Sequence, residues 1–144
     1  METDVKIRIL KSLDTKSLVE QVHRYEDELE TALREQASFK NSNYQYLASR
    51  DGDCQEVKRL LSELISRVPE LNDARKKLTA AEKEAWMQRQ RKENEELATA
   101  IARQKHVAFL IDNHEIKVEM AKKRLEGARV VLALKTAQIN LLAS

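Results

Sequence analysis

Leu97, Gln104, Ile111, Val118, Leu125, Leu132 and Ile139 recur at a constant interval of seven residues, and six of the seven are aliphatic. An α-helix returns to nearly the same side every seven residues, so a repeat kept this long demands a helix with one sustained buried seam. Asp112-Asn113-His114-Glu115 has the spacing of a capping box for a new helix, but a turn there would have no reason to preserve the register. The sequence therefore predicts one long helix over 70–142, with a break near 112 as the competing arrangement. Two glycines and one proline in 144 residues leave too few turns for a sheet, and the expected fold class is all-α.

The remaining segments are read against that helix. Apolar residues Leu18, Val22, Tyr25, Leu29 and Ala32 alternate in steps of four and three, and the phase continues through Gln36, Phe39, Asn43 and Tyr46. They predict helix 17–50, opened by a Ser17/Glu20 capping box and closed by the turn Asp51-Gly52-Asp53. Val57, Leu60, Leu61, Leu64, Ile65 and Val68 form a broad stripe on a second helix, 54–68, which Pro69 interrupts. Residues 1–16 read as an arm or a short helix, since Val5, Ile7 and Ile9 alternate while Val5, Ile9 and Leu13 keep helical spacing. Gln88 to Glu96 lacks any apolar residue and reads as a solvated stretch of the long helix, with a flexible joint as the alternative.

The seam of the long helix pairs a row of large residues with a second row reading His114, Ala121, Ala128, Lys135 and Leu142. Alanine opposite large aliphatics lets two helix axes approach closely. A further row, Phe109, Ile116, Met120, Val130, Val131 and Leu134, widens the apolar surface, so this helix is expected to touch two partners. The architecture expected is a long antiparallel coiled-coil-like hairpin or incomplete three-helix bundle, with helices 17–50 and 54–68 folded along the first part of the long helix. Its far end then needs another copy, plausible in antiparallel pairing, through Ile111, His114, Val118, Ala121, Leu125, Ala128, Leu132, Ile139 and Leu142.

Catalytic and metal chemistry find little purchase. A single Glu-x-x-His tetrad, Glu20 to His23, lies away from the apolar stripe, and His106 and His114 stand eight residues apart, roughly 12 Å along a helix and too far to share an ion. Cys54 starts a helix, where a thiol can be activated, but Asp51 and Asp53 oppose thiolate formation. No cofactor, metal or catalytic set is expected. His114 on the seam reads as a polar residue setting register.

Net charge is +2, so no polyanionic partner is required. The basic triplets Arg75-Lys76-Lys77 and Lys122-Lys123-Arg124 allow nucleic-acid contact, but acidic residues interleave with them and a solvated surface is favoured. Trp86 and Met87 read as a core anchor or a docking point for another protein. The longest apolar runs are five residues, far short of a membrane span, and Met1-Glu2-Thr3-Asp4 opens no secretory signal. With one cysteine, the expectation is a soluble cytoplasmic protein acting as a scaffold, adaptor or chaperone-like component, associated with itself and with another protein.

Overall fold

A computed structural model describes residues 3–6, 8, 15–48 and 52–143. Among the described residues the regular structure is helical, with no strand apart from an isolated antiparallel bridge between Leu71 and Lys77. Helix α1 is Lys16–Ser42, followed by a 3₁₀ turn at Tyr44–Tyr46; α2 is Gln55–Ile65, α3 is Ala80–Glu93 and α4 is Glu95–Ala143. The chain divides into two compact units, one of residues 1–38 and 113–144, the other of residues 39–112. Residues 3–6 and 8 are helical, and the remainder of the expected arm up to residue 14 lies outside the described residues.

In the first unit α1 runs antiparallel to the later part of α4. Val22, Leu125 and Ala128 form its buried centre, with Tyr25, Leu29 and Leu132 packed around them. Arg124 reaches Glu28 at 3.8 Å and Arg129 reaches Glu26 at 3.6 Å, so rising numbers on one helix meet falling numbers on the other. Ala128 is what permits this close approach: a methyl at the contact lets Val22 settle beside Leu125. Ala121 and Val118, about one and two turns before Leu125 on the same side of α4, are buried as well. The first helix thus pairs with the far end of the long helix and not, as expected, with its first part.

The second unit explains that difference. Its core is Cys54, Val57, Leu60 and Leu64 against Leu97 and Ala100, with Tyr46, Leu61, Trp86, Met87 and Ile101 around the edge. The amphipathic face of α2, with Tyr46, Trp86 and Met87 at its edges, therefore occupies the early turns of α4. The Gln104 side chain holds the turn that precedes α2: its Nε2 donates to the Gly52 carbonyl at 3.1 Å and its Oε1 accepts from the Cys54 amide at 2.9 Å. A polar residue in the heptad row is thus a bridge between helix and turn.

Boundaries differ from the sequence reading at four places. The first helix ends at Ser42 instead of 50, where the 3₁₀ turn follows. Its first turn precedes Ser17, since the Val19 amide bonds to the Thr15 carbonyl. The second helix stops at Ile65 instead of 68. The largest correction is that no single helix spans 70–142. Residues 71–77 form a tight turn in which Asn72 Oδ1 accepts from the Ala74 and Lys76 amides, both at 3.0 Å. Thr79 then starts α3 through a capping box, its hydroxyl accepting from the Glu82 amide while the Glu82 carboxylate accepts from the Thr79 amide. Asn94 leaves helical geometry, and its side chain caps α4 by accepting from the Leu97 amide at 3.0 Å. From there α4 is unbroken through Asp112-Asn113-His114-Glu115.

The cap at Thr79 yields a direct check. Thr79→Ala should lower unfolding free energy by about 1 kcal/mol, whereas Ser17→Ala should stay within about 0.5 kcal/mol of the parent. Urea denaturation followed by circular dichroism measures both, and equal losses would contradict the assigned helix starts.

Candidate interaction surfaces

The seam residues expected to meet another copy lie mostly inside the chain. Val118, Ala121, Leu125 and Ala128 are buried, and Leu125, Ala128 and Leu132 contact the α1 side chains named above. His114, Leu132, Ile139 and Leu142 are half-buried in the same unit, and Ile111 is half-buried in the other. The surface left open is the other side of α4. Ile116, Met120, Val130, Leu134 and Leu141 are each at least half exposed. With Lys123, Gly127 and Ala137 they step along the helix by four and three residues. At about 100° per residue this second row lies roughly opposite the buried one.

Gly127 stands within the exposed row, and a Cβ added there would meet nothing within 4 Å. Charges flank the row unequally. Glu119 and Glu126 border it on one side, Lys117 and Arg124 on the other. All four are exposed; Lys122 lies 3.5 Å from Glu119, and Glu28 lies 3.8 Å from Arg124.

In the second unit the loop after α2 opens a cleft of about 660 Å³ lined by Ile65, Val68, Pro69, Leu71 and Leu78, with Lys77 and Lys83 among its walls. A neighbouring cleft of about 400 Å³ shares Pro69, Leu71 and Leu78 and includes Trp86. Trp86 is half-buried against the core, as is Met87, so the indole serves both as an anchor and as a wall. Leu71, by contrast, is 53% exposed at the cleft. The elements that place these residues are the Asn72 turn and the Thr79 cap. Their signals, an asparagine two residues before Ala74 and the run Thr79-Ala80-Ala81-Glu82, are present in the sequence but carry no apolar periodicity.

The two basic triplets fall in different units. Arg75, Lys76 and Lys77 are exposed on the Asn72 turn, with Arg75 in the left-handed backbone region at φ 58°. Lys122 and Arg124 are engaged with Glu119 and Glu28, and Lys123 belongs to the exposed apolar row. Cys54 is wholly enclosed, which removes its thiol from reagents in the folded unit. Among the described residues no group of three or more histidine, cysteine or acidic side chains is placed to hold a metal ion, and no helix is long and apolar enough to cross a membrane. Arg91 bonds Asp53 at 3.1 Å, and the break at Asn94 interrupts the helical i,i+4 spacing between Arg91 and Glu95.

On α2, Arg59 lies between two carboxylates, bonding Glu56 through Nε at 3.1 Å and Glu63 through Nη1 at 2.7 Å. The hydrogen bond from Arg59, reinforced by its charge, holds the Glu56 carboxyl below its ordinary value. Comparison with protein-family models, curated proteins and solved structures gave no match.

Two outcomes follow from these contacts. Gln104→Leu leaves the Gly52 carbonyl and Cys54 amide without their partner and should cost about 1–3 kcal/mol, read as a lower urea midpoint. The lowered Glu56 carboxyl stabilises the folded chain at neutral pH, and that contribution is lost as pH falls through its depressed folded value. Carboxyl NMR titration should therefore find Glu56 protonating at lower pH than a free glutamate, and Arg59→Ala should move its midpoint upward.

Proposed function

We propose that this chain is a non-enzymatic scaffold, adaptor or chaperone-like protein of the cytoplasm that works through helix–helix contacts with itself and with another protein. Its antiparallel helix pair is, on this reading, a short coiled coil. The observation that carries the proposal is α4 itself, which has apolar rows on opposite sides while only one is covered within its unit. Uncovered aliphatic side chains in a regular row are the signature of a surface meant to be occupied.

The cleft beside Trp86 is the natural seat for the second protein. Its apolar walls suit a hydrophobic segment, and Lys77 and Lys83, against the single carboxylate of Glu70, leave the rim net basic and favour acidic residues next to that segment. An accessory nucleic-acid role is the second reading, resting on the exposed Arg75-Lys76-Lys77 turn. The other triplet supports it less, since Lys122 and Arg124 already face carboxylates.

Affinity capture with the full chain, compared with Leu71→Glu, tests the adaptor reading. Leu71 is exposed, so the variant keeps its helical content while losing the cleft's apolar wall. The expected result is a protein partner retained by the parent and depleted about tenfold or more by Leu71→Glu, a loss of the size a buried charge inflicts on an interface. Identical capture by both chains, together with DNA or RNA binding that persists at physiological salt, would replace this reading with the nucleic-acid one.

A further inference from the structure

The open row on α4 carries enough pattern to say what covers it. Ile116, Met120, Lys123, Gly127, Val130, Leu134, Ala137 and Leu141 alternate in steps of four and three without a slip. That is the spacing at which one helix receives another along its length. A flat or sheet-like partner would not require it. The occupant is therefore a helix, running beside α4 for about seven turns.

The flanking charges say which helix and in which direction. Residues one step ahead of the row on one side are Glu119 and Glu126, and those one step after it on the other side are Lys117 and Arg124. In a parallel pair of identical helices, the leading flank of each chain meets the trailing flank of its partner five residues further on. Glu119 of each copy then faces Arg124 of the other, twice by symmetry. In an antiparallel pair like flank meets like flank, acid against acid and base against base. The contacts these residues make within the chain, Lys122 to Glu119 and Glu28 to Arg124, are solvent-exposed pairs at 3.5 and 3.8 Å, weakly held and readily exchanged.

Lys123 then limits the number of copies. It sits in the row itself, and in a two-stranded pair its methylenes can pack while the ammonium reaches water. Enclosed among three or four helices, the same ammonium would be buried and unpaired. Gly127, with open space where a Cβ would be, lets the two axes come close one turn later.

We propose that the uncovered face of α4 from Ile116 to Leu141 pairs, parallel and in register, with the same face of a second copy of this chain. This rests on the reading of the protein as a helix-pairing scaffold and names the self-contact. It also relocates that contact from the buried seam, where an antiparallel pairing was expected, to the opposite side of the helix and the opposite direction.

Sedimentation equilibrium of the full chain over a wide concentration range tests this, beside circular dichroism of each variant. The parent should reach twice the chain mass. Leu134→Asn, exposed and outside the hairpin core, should weaken association about tenfold or more while keeping helical content. Glu119→Arg and Arg124→Glu should each dissociate alone and should associate again when mixed, because only the mixed pair restores opposite charges on both flanks. Lys123→Leu should tighten the pair. A parent that stays monomeric overturns the proposal, as does a dimer indifferent to Leu134→Asn. Folded single-charge variants that fail to recover on mixing overturn the parallel arrangement. A monomer that still captures its protein partner through the Leu71 cleft defeats the dimer alone, whereas a dimer of this design with no such partner defeats the adaptor reading alone.

Discussion

Both cores are built on α4, and the constraint that shapes them is that one continuous helix must satisfy different neighbours along its length. Leu97 and Ala100 receive Val57, Leu60 and Leu64 of α2, while Leu125 and Ala128 receive Val22 of α1. A small residue stands beside a large one at each contact, so the incoming helix can approach closely without leaving a void. Helices this polar have little stability alone, and burial of that narrow stripe supplies most of what keeps them helical.

Polar residues do the work of positioning. Gln104 ties the 52–54 turn to α4 with two hydrogen bonds, and Arg91 adds an ion pair to Asp53 of that turn. Arg103 lies 4.8 Å over the Tyr46 ring, drawing the 3₁₀ turn toward the same helix. Such contacts fix where a short helix begins, and the apolar stripe then fixes which side of it is buried. Asn72, Thr79 and Asn94 act in the same manner between α2 and α4, each satisfying amides that a helix end or a turn would leave free.

The all-α class, the stripe on α2 and the unbroken course of α4 through Asp112 were all legible from periodicity. Heptad spacing reports which side of a helix is apolar, but it is silent on what lies against that side. That is why Val118, Leu125 and Ala128 could be read as a surface for another chain when α1 of the same chain covers their side of the helix. The turn at 71–77 and the start of α3 were misread for a related reason. Their signals are single polar residues, Asn72 and Thr79, whose effect depends on the hydrogen bonds they accept and not on any repeat. Of the second row on α4, Ile116, Met120, Val130 and Leu134 were legible, yet only the exposure of Ile116, Leu134 and their neighbours separates it from a row already in use.

The enclosure of Cys54 has a further consequence. Its thiol is enclosed in the cluster of Val57 and Leu97, and its amide is held by Gln104, so a reagent reaches the sulfur only when this unit opens around the 52–54 turn. With one cysteine in the chain, the rate of thiol labelling counts those openings alone, without interference from any other site. The protein therefore carries its own clock for the breathing of one unit, set by two hydrogen bonds from a single glutamine.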